Sequence, residues 1–227
     1  MPDSAFQWIC VLSLALGVLC AAGLLMHLVR HPPHMRIMMA VWPLCALFGS
    51  LGIVWLYARW GHRGADEAPH WVTVSKGTLH CGSGCTLGDL LAECLVFLAP
   101  SVAIAFGWHW LFADRTFATW VLDCILAFAF GILFQYFAIA PMRGLSVREG
   151  IKAAVKADTA SLAAWQVGMF AVMAIFQFVL YPAWLHERPD AASPAFWFAM
   201  QWAMVGGFIT AFPVNHLLIV KGLKEAM

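Results

Sequence analysis

Thr119–Ala140 reads TWVLDCILAFAFGILFQYFAIA, twenty-two residues in which Asp123 is the sole charge. A helix rising 1.5 Å per residue needs about twenty such residues to cross roughly 30 Å of hydrocarbon, so this stretch reads as a transmembrane helix. Working outward, five more segments qualify: 6–29, 37–57, 86–112, 162–184 and 195–220. The first is not a cleavable signal peptide, because no Lys or Arg precedes it and its apolar run is too long. Over all 227 residues the chain is 63% hydrophobic and 11% charged, more apolar than one soluble core of this size can hide. Disorder, collagen, coiled coil and a secreted disulfide scaffold are thereby excluded. A net charge of +1 leaves no basic stripe for nucleic acid, so the lipid bilayer is the expected partner. The expected fold is an all-α, polytopic membrane helix bundle of about six transmembrane helices in three antiparallel hairpins, one integral membrane domain over 1–227.

With six crossings, Arg59, Arg63, Lys76, Arg143, Arg148, Lys152, Lys156, Lys221 and Lys224 fall on the side of the termini, against Arg30, Arg36, Arg115 and Arg188 on the other. That bias places both termini in the cytoplasm of an inner (plasma) membrane. Two cytoplasmic connections are long. Residues 58–85 read as a polar, Gly-rich loop carrying a cysteine motif. Residues 143–160 open with Ser146-Val-Arg-Glu149, a capping-box spacing, and continue as an amphipathic helix suited to the headgroup surface.

The stretch with a chemical look is His80-Cys81-Gly-Ser-Gly-Cys85-Thr-Leu-Gly-Asp89-Leu-Leu-Ala-Glu93. Two thiols and an imidazole within six positions, joined by glycines, suit a soft metal ion, Cu(I) or Zn(II). Cys85, Asp89 and Glu93 recur every four residues, so they share one helical face and could step a cation or proton into the membrane. Asp89 also has the position of a capping residue with Thr86. His109 and Asp123 are candidate partners at the outer end, and Gln135, Asp158 and Asn215 lie on other spans at the inner end. No phosphate-cradling Gly-Lys-Ser loop, His-Glu-x-x-His or Gly-x-Ser-x-Gly elbow is present, which favours binding or transport over catalysis.

Taken together, His80-Cys81 with Cys85 and Gly88-Asp89, Phe134-Gln-Tyr136 through Pro141-Met-Arg143, Lys156-Ala-Asp158-Thr, Pro213-Val-Asn215 and Lys224-Glu225-Ala-Met227 resemble a bacterial family of six-helix membrane proteins known as a domain of unknown function. The resemblance covers about His80 to the end. Its usual aromatic residue after Pro-Val-Asn is His216 here, which leaves Asn215 the better candidate. The family implies no activity. The sequence reading is therefore a membrane protein that handles a soft metal, copper before zinc, through His80, Cys81, Cys85, Asp89 and Glu93. A metal chaperone or a second copy of the chain is the expected protein partner. The alternatives are a thiol redox protein using Cys81 and Cys85, or a non-catalytic assembly factor.

Overall fold

The computed structural model describes residues 2–33, 35–64 and 67–225, so the last two residues of the C-terminal motif, Ala226 and Met227, lie outside the described residues. The all-α bundle is as expected. Its helices are α1 (Pro2–Arg30), α2 (Met38–Trp60), α3 (His70–Leu98), the short α4 (Ser101–Ala105), α5 (Arg115–Arg143), α6 (Val147–Ile175), the short α7 (Tyr181–Trp184) and α8 (Pro194–Val220). A π-helical turn, Phe176–Leu180, joins α6 to α7 in one rod. Among the described residues six helical segments, α2 included by its chain length, are long and apolar enough to cross a membrane, as in a multi-pass membrane protein.

The segment α2 is bent back on itself. Ser50 has φ 41° and ψ −123°, which interrupts the helix. The Trp42 and Tyr57 rings, eight residues before and seven after that point, stand 5.3 Å apart. A straight helix would separate them by about 22 Å. The arms 38–49 and 51–60 therefore form a helical hairpin whose two ends both lie beside the end of α1, where His27 packs on Tyr57 and His62. Each arm reaches about 15 to 18 Å, roughly half the hydrocarbon thickness. The hairpin tip is held by polar contacts: Gln201 of α8 donates to the Leu47 carbonyl at 2.7 Å.

This reversal moves the termini to opposite ends of the bundle. Phe6 packs on Tyr181 and Phe198, near the start of α8, whereas the residues after α8 meet the first turns of α3. The expectation that both termini share one side is corrected, because α2 returns the chain to the end it came from.

A second difference concerns α3. It begins at His70, behind Pro69, instead of at Thr86, and ends at Leu98. The stretch expected to be a cytoplasmic loop up to Cys85 is thus helix from His70 onward, and most of it is buried. Four of its hydroxyls are satisfied within the helix: Ser75 donates to the Trp71 carbonyl, Thr78 to Val74, Ser83 to His80 and Thr86 to Gly82. Its glycines are packing positions. A Cβ on Gly84 would meet the backbone of Gly131, and one on Gly88 that of Ala127, so Gly84-x-x-x-Gly88 lies against Ala127-x-x-x-Gly131 of α5. Gly82 and Gly207 of α8 both lie against the Trp165 indole of α6.

Residues 143–160 likewise form no separate surface helix. Ser146 and Glu149 do close a capping box, but nothing breaks the helix beyond it, and 147–160 are the first turns of α6. Arg148, Lys152 and Lys156 point outward while Gly150, Ala154, Ala157 and Asp158 are buried.

A buried polar row as candidate functional site

Because the cysteine motif is helical, its side chains lie inside the bundle. His80, Cys81, Cys85 and Asp89 are fully buried and Glu93 is 9% exposed. They extend along about 20 Å of α3. Cys81 and Cys85 face each other one turn apart, and Cys45 of the hairpin, whose thiol donates to the Leu79 carbonyl, approaches Cys81. Among the described residues, however, no three His, Cys, Asp or Glu side chains converge as ligands of one metal ion. The expected chelate of His80, Cys81 and Cys85 is not formed, since a helix fans successive side chains apart where a loop could gather them. Both thiols are closed off from solvent in this conformation.

What the fold gathers is a row of polar groups between α3, α5, α6 and α8. At its C-terminal end the Lys224 ammonium sits between Asp158 Oδ1 (2.5 Å), Asn215 Oδ1 (2.7 Å) and the Gly77 carbonyl (3.1 Å). Asp158 thus stands within α6 as an ion-pair partner. Asn215 in turn donates to Ser161 Oγ and to the Ala211 carbonyl. Next inward stand His80, within electrostatic reach of Lys224, and Gln135 of α5. Neither ring nitrogen of His80 and neither amide atom of Gln135 has a hydrogen-bond partner.

Beyond the thiols the row turns acidic. Asp89 has Gln166 of α6 as its polar neighbour, without a hydrogen bond between them, and it lines a cavity of about 260 Å³ beside the hairpin tip. Asp123 of α5 faces Asp89 and Glu93 and is itself without a hydrogen bond. Glu93 opens on a second cavity of about 670 Å³, with Asp114, Arg115, Gln177, Arg188 and Asp190 in its wall. The sequence pairing of His109 with Asp123 does not occur. His109 lies past α3 in an exposed turn with φ 71°, stacked on Trp108.

Outside the spans, Asp114 caps α5 by accepting from the Thr116 N–H and pairs with Arg188 at 2.5 Å. Partial burial opposes its ionisation, but those donors outweigh it and hold the carboxyl below the usual range. The sequence points to Asp89, Glu93, Asp123, Gln135, Asp158 and Asn215, and offers Lys224 only as a cytoplasmic charge and part of the C-terminal motif. The signal for Lys224 was Gly222, a chain-reversing residue directly after a long helix.

An unpaired carboxylate inside a bundle costs several kcal/mol unless it carries a proton or holds a cation. Asp89 and Asp123 together therefore form a place where a positive charge is at home. No curated protein and no solved structure matches the chain. A family model does match, over 155 residues that start at the first residue of α3 and stop at Lys224, and so enclose the whole polar row but for Cys45. By that match to residues 70–224, the chain belongs to the DUF4396 family, a domain of unknown function.

Proposed function

We propose that the chain is a membrane transport protein that passes protons or small cations along the polar face of α3. The observation that carries the reading is the pair Asp89 and Asp123, both fully buried and both without a hydrogen-bond partner, next to Glu93 and its cavity. On this reading Glu93 takes up a positive charge from its cavity and passes it to Asp123 and Asp89. On this reading the membrane is the bacterial inner membrane, as the family resemblance suggests. Arg30, Arg36, Arg59, Arg63, Lys76, Arg143, Arg148, Lys152, Lys156, Lys221 and Lys224 all lie at the C-terminal end of the bundle, and Arg115 and Arg188 at the other. The positive-inside bias puts the C-terminus in the cytoplasm, and the N-terminus and the Glu93 cavity outside.

The test is flux into proteoliposomes under an imposed potential, read by an entrapped pH dye. Wild-type protein should acidify the lumen, and Asp89→Asn or Asp123→Asn should lower the rate at least tenfold while the protein still folds. Equal rates in wild type and both variants would overturn the reading. Cys45, Cys81 and Cys85 at mid-row favour a second version, in which the cargo is a soft ion such as Cu(I) or Zn(II) handed between thiols. That version requires metal uptake that Cys81→Ser with Cys85→Ser abolishes and that proton flux does not replace.

A further inference from the structure

We propose that the oxygen cage of Asp158, Asn215 and the Gly77 carbonyl is a binding site for a small monovalent cation of ammonium type, occupied in this conformation by the chain's own Lys224. Its placing at the cytoplasmic mouth of a pathway rests on the transport reading; the cage itself does not.

Three features build the site. The first is the approach of the lysine. After α8 the Gly222 N–H bonds the Ile219 carbonyl, the Leu223 N–H bonds the Leu218 carbonyl, and Gly222 takes φ 65°. This Schellman motif turns the chain back and drives Lys224 between α3, α6 and α8. The second is the match of donors to acceptors. An ammonium group has three N–H bonds, and each finds an oxygen, on three different helices, at 2.5 to 3.1 Å. The third is that the cage is oriented without the lysine. Asn215 spends its amide hydrogens on Ser161 and Ala211, so its carbonyl oxygen must face the cage.

The ligand chemistry follows from the donors. One carboxylate and two neutral oxygens balance a single positive charge. They offer too little negative charge for a divalent ion and no sulfur for a soft one. The site also leads inward: Asp158 Oδ2 is buried and unpartnered, and His80, with both ring nitrogens free, comes next. Outside, the tail is fastened by the exposed pair of Arg143 and Glu225. Lys224 is then a tethered stand-in for the cation, and its withdrawal opens the row.

The experiment uses the full chain in detergent. Lys224→Ala empties the cage, and its melting temperature is followed in ammonium, methylammonium and choline chlorides at equal ionic strength. Ammonium and methylammonium should raise the midpoint by several degrees, saturably, while choline, too large to enter, should not. Lys224→Met, whose side chain fills the space, should show no such difference. If Lys224→Ala does not fold in choline, the folded yield on purification in ammonium against choline gives the same reading. Equal behaviour in ammonium and choline overturns the site. In proteoliposomes Lys224→Ala should also conduct several times faster than wild type. Ammonium rescue with no flux in either protein would overturn the transport reading and leave the cage standing.

Discussion

At the scale of single residues, the glycines of α3 set how closely two helices approach. A Cβ on Gly88 would stand 2.5 Å from the Ala127 backbone nitrogen, which cannot move aside as a flexible side chain could. Gly88→Ala should therefore part α3 from α5 and cost about 1 to 3 kcal/mol. Gly77→Ala, whose new methyl meets side-chain atoms no nearer than 3.7 Å, should be tolerated. Thermal unfolding of the two variants checks the contrast, and an unchanged melting point for Gly88→Ala would refute it. Asp114 supplies a pH dependence. Its carboxyl is held below the usual range, so its contribution is fully present above about pH 4 and is lost as the pH falls through the lowered value. Asp114→Asn should narrow the difference in melting temperature between pH 6 and pH 3. The same residues explain what the sequence concealed. Gly82, Gly84 and Gly88 beside Ser83 and Thr86 have the composition of a loop, and only the partner helix reveals them as a contact surface. The four-residue steps from Cys85 through Asp89 to Glu93 were legible, since that spacing holds for any helix whatever its neighbours.

At the scale of elements, α2 shows the limit of reading spans from apolar length. Residues 37–57 satisfy every compositional requirement of a crossing helix. The one local sign of the reversal is Gly49-Ser50-Leu-Gly52, where small residues permit a tight turn. Ser50 occupies a positive φ that glycine adopts without strain, so Ser50→Gly should stabilise the protein and Ser50→Val should destabilise it by about 1 to 3 kcal/mol. Opposite shifts in unfolding midpoint are the expected result. If the two variants melt together, the turn is not under the constraint its backbone angles describe. For α6 the sequence showed where the helix starts, because the capping box of Ser146 and Glu149 is a local device. It did not show that the helix runs on into the bundle, where Asp158 meets Lys224 from sixty-six residues later.

At the scale of the whole molecule, the length of α1 and the return of α2 place the described ends of the chain at opposite ends of the bundle. A reporter fused to Met1 should be active on the outer side, and one fused after Met227 on the cytoplasmic side. A cysteine introduced at Gly64, between the hairpin and α3, should label from the same side as the C-terminal fusion. Both termini reporting from one face would refute the hairpin. The Lys and Arg bias was visible in sequence, but pairing it with six crossings divided the charges nine to four. The bent α2 moves Arg30 and Arg36 across and leaves Arg115 and Arg188 alone on the far face. The side to which each charge belongs thus turns on a single bend, while the apolar helices that make up the bundle are evident throughout the sequence.

The hairpin also orders the manufacture of the protein. Its arms are too short to be retained as crossing segments, and its tip buries the Leu47 carbonyl, whose donor is Gln201. Gln201 lies on α8, which leaves the ribosome after α1, α3, α5 and α6. The seat of residues 38–60 exists only once some 140 further residues have been made, so the second element settles into the bundle after elements that follow it in the chain.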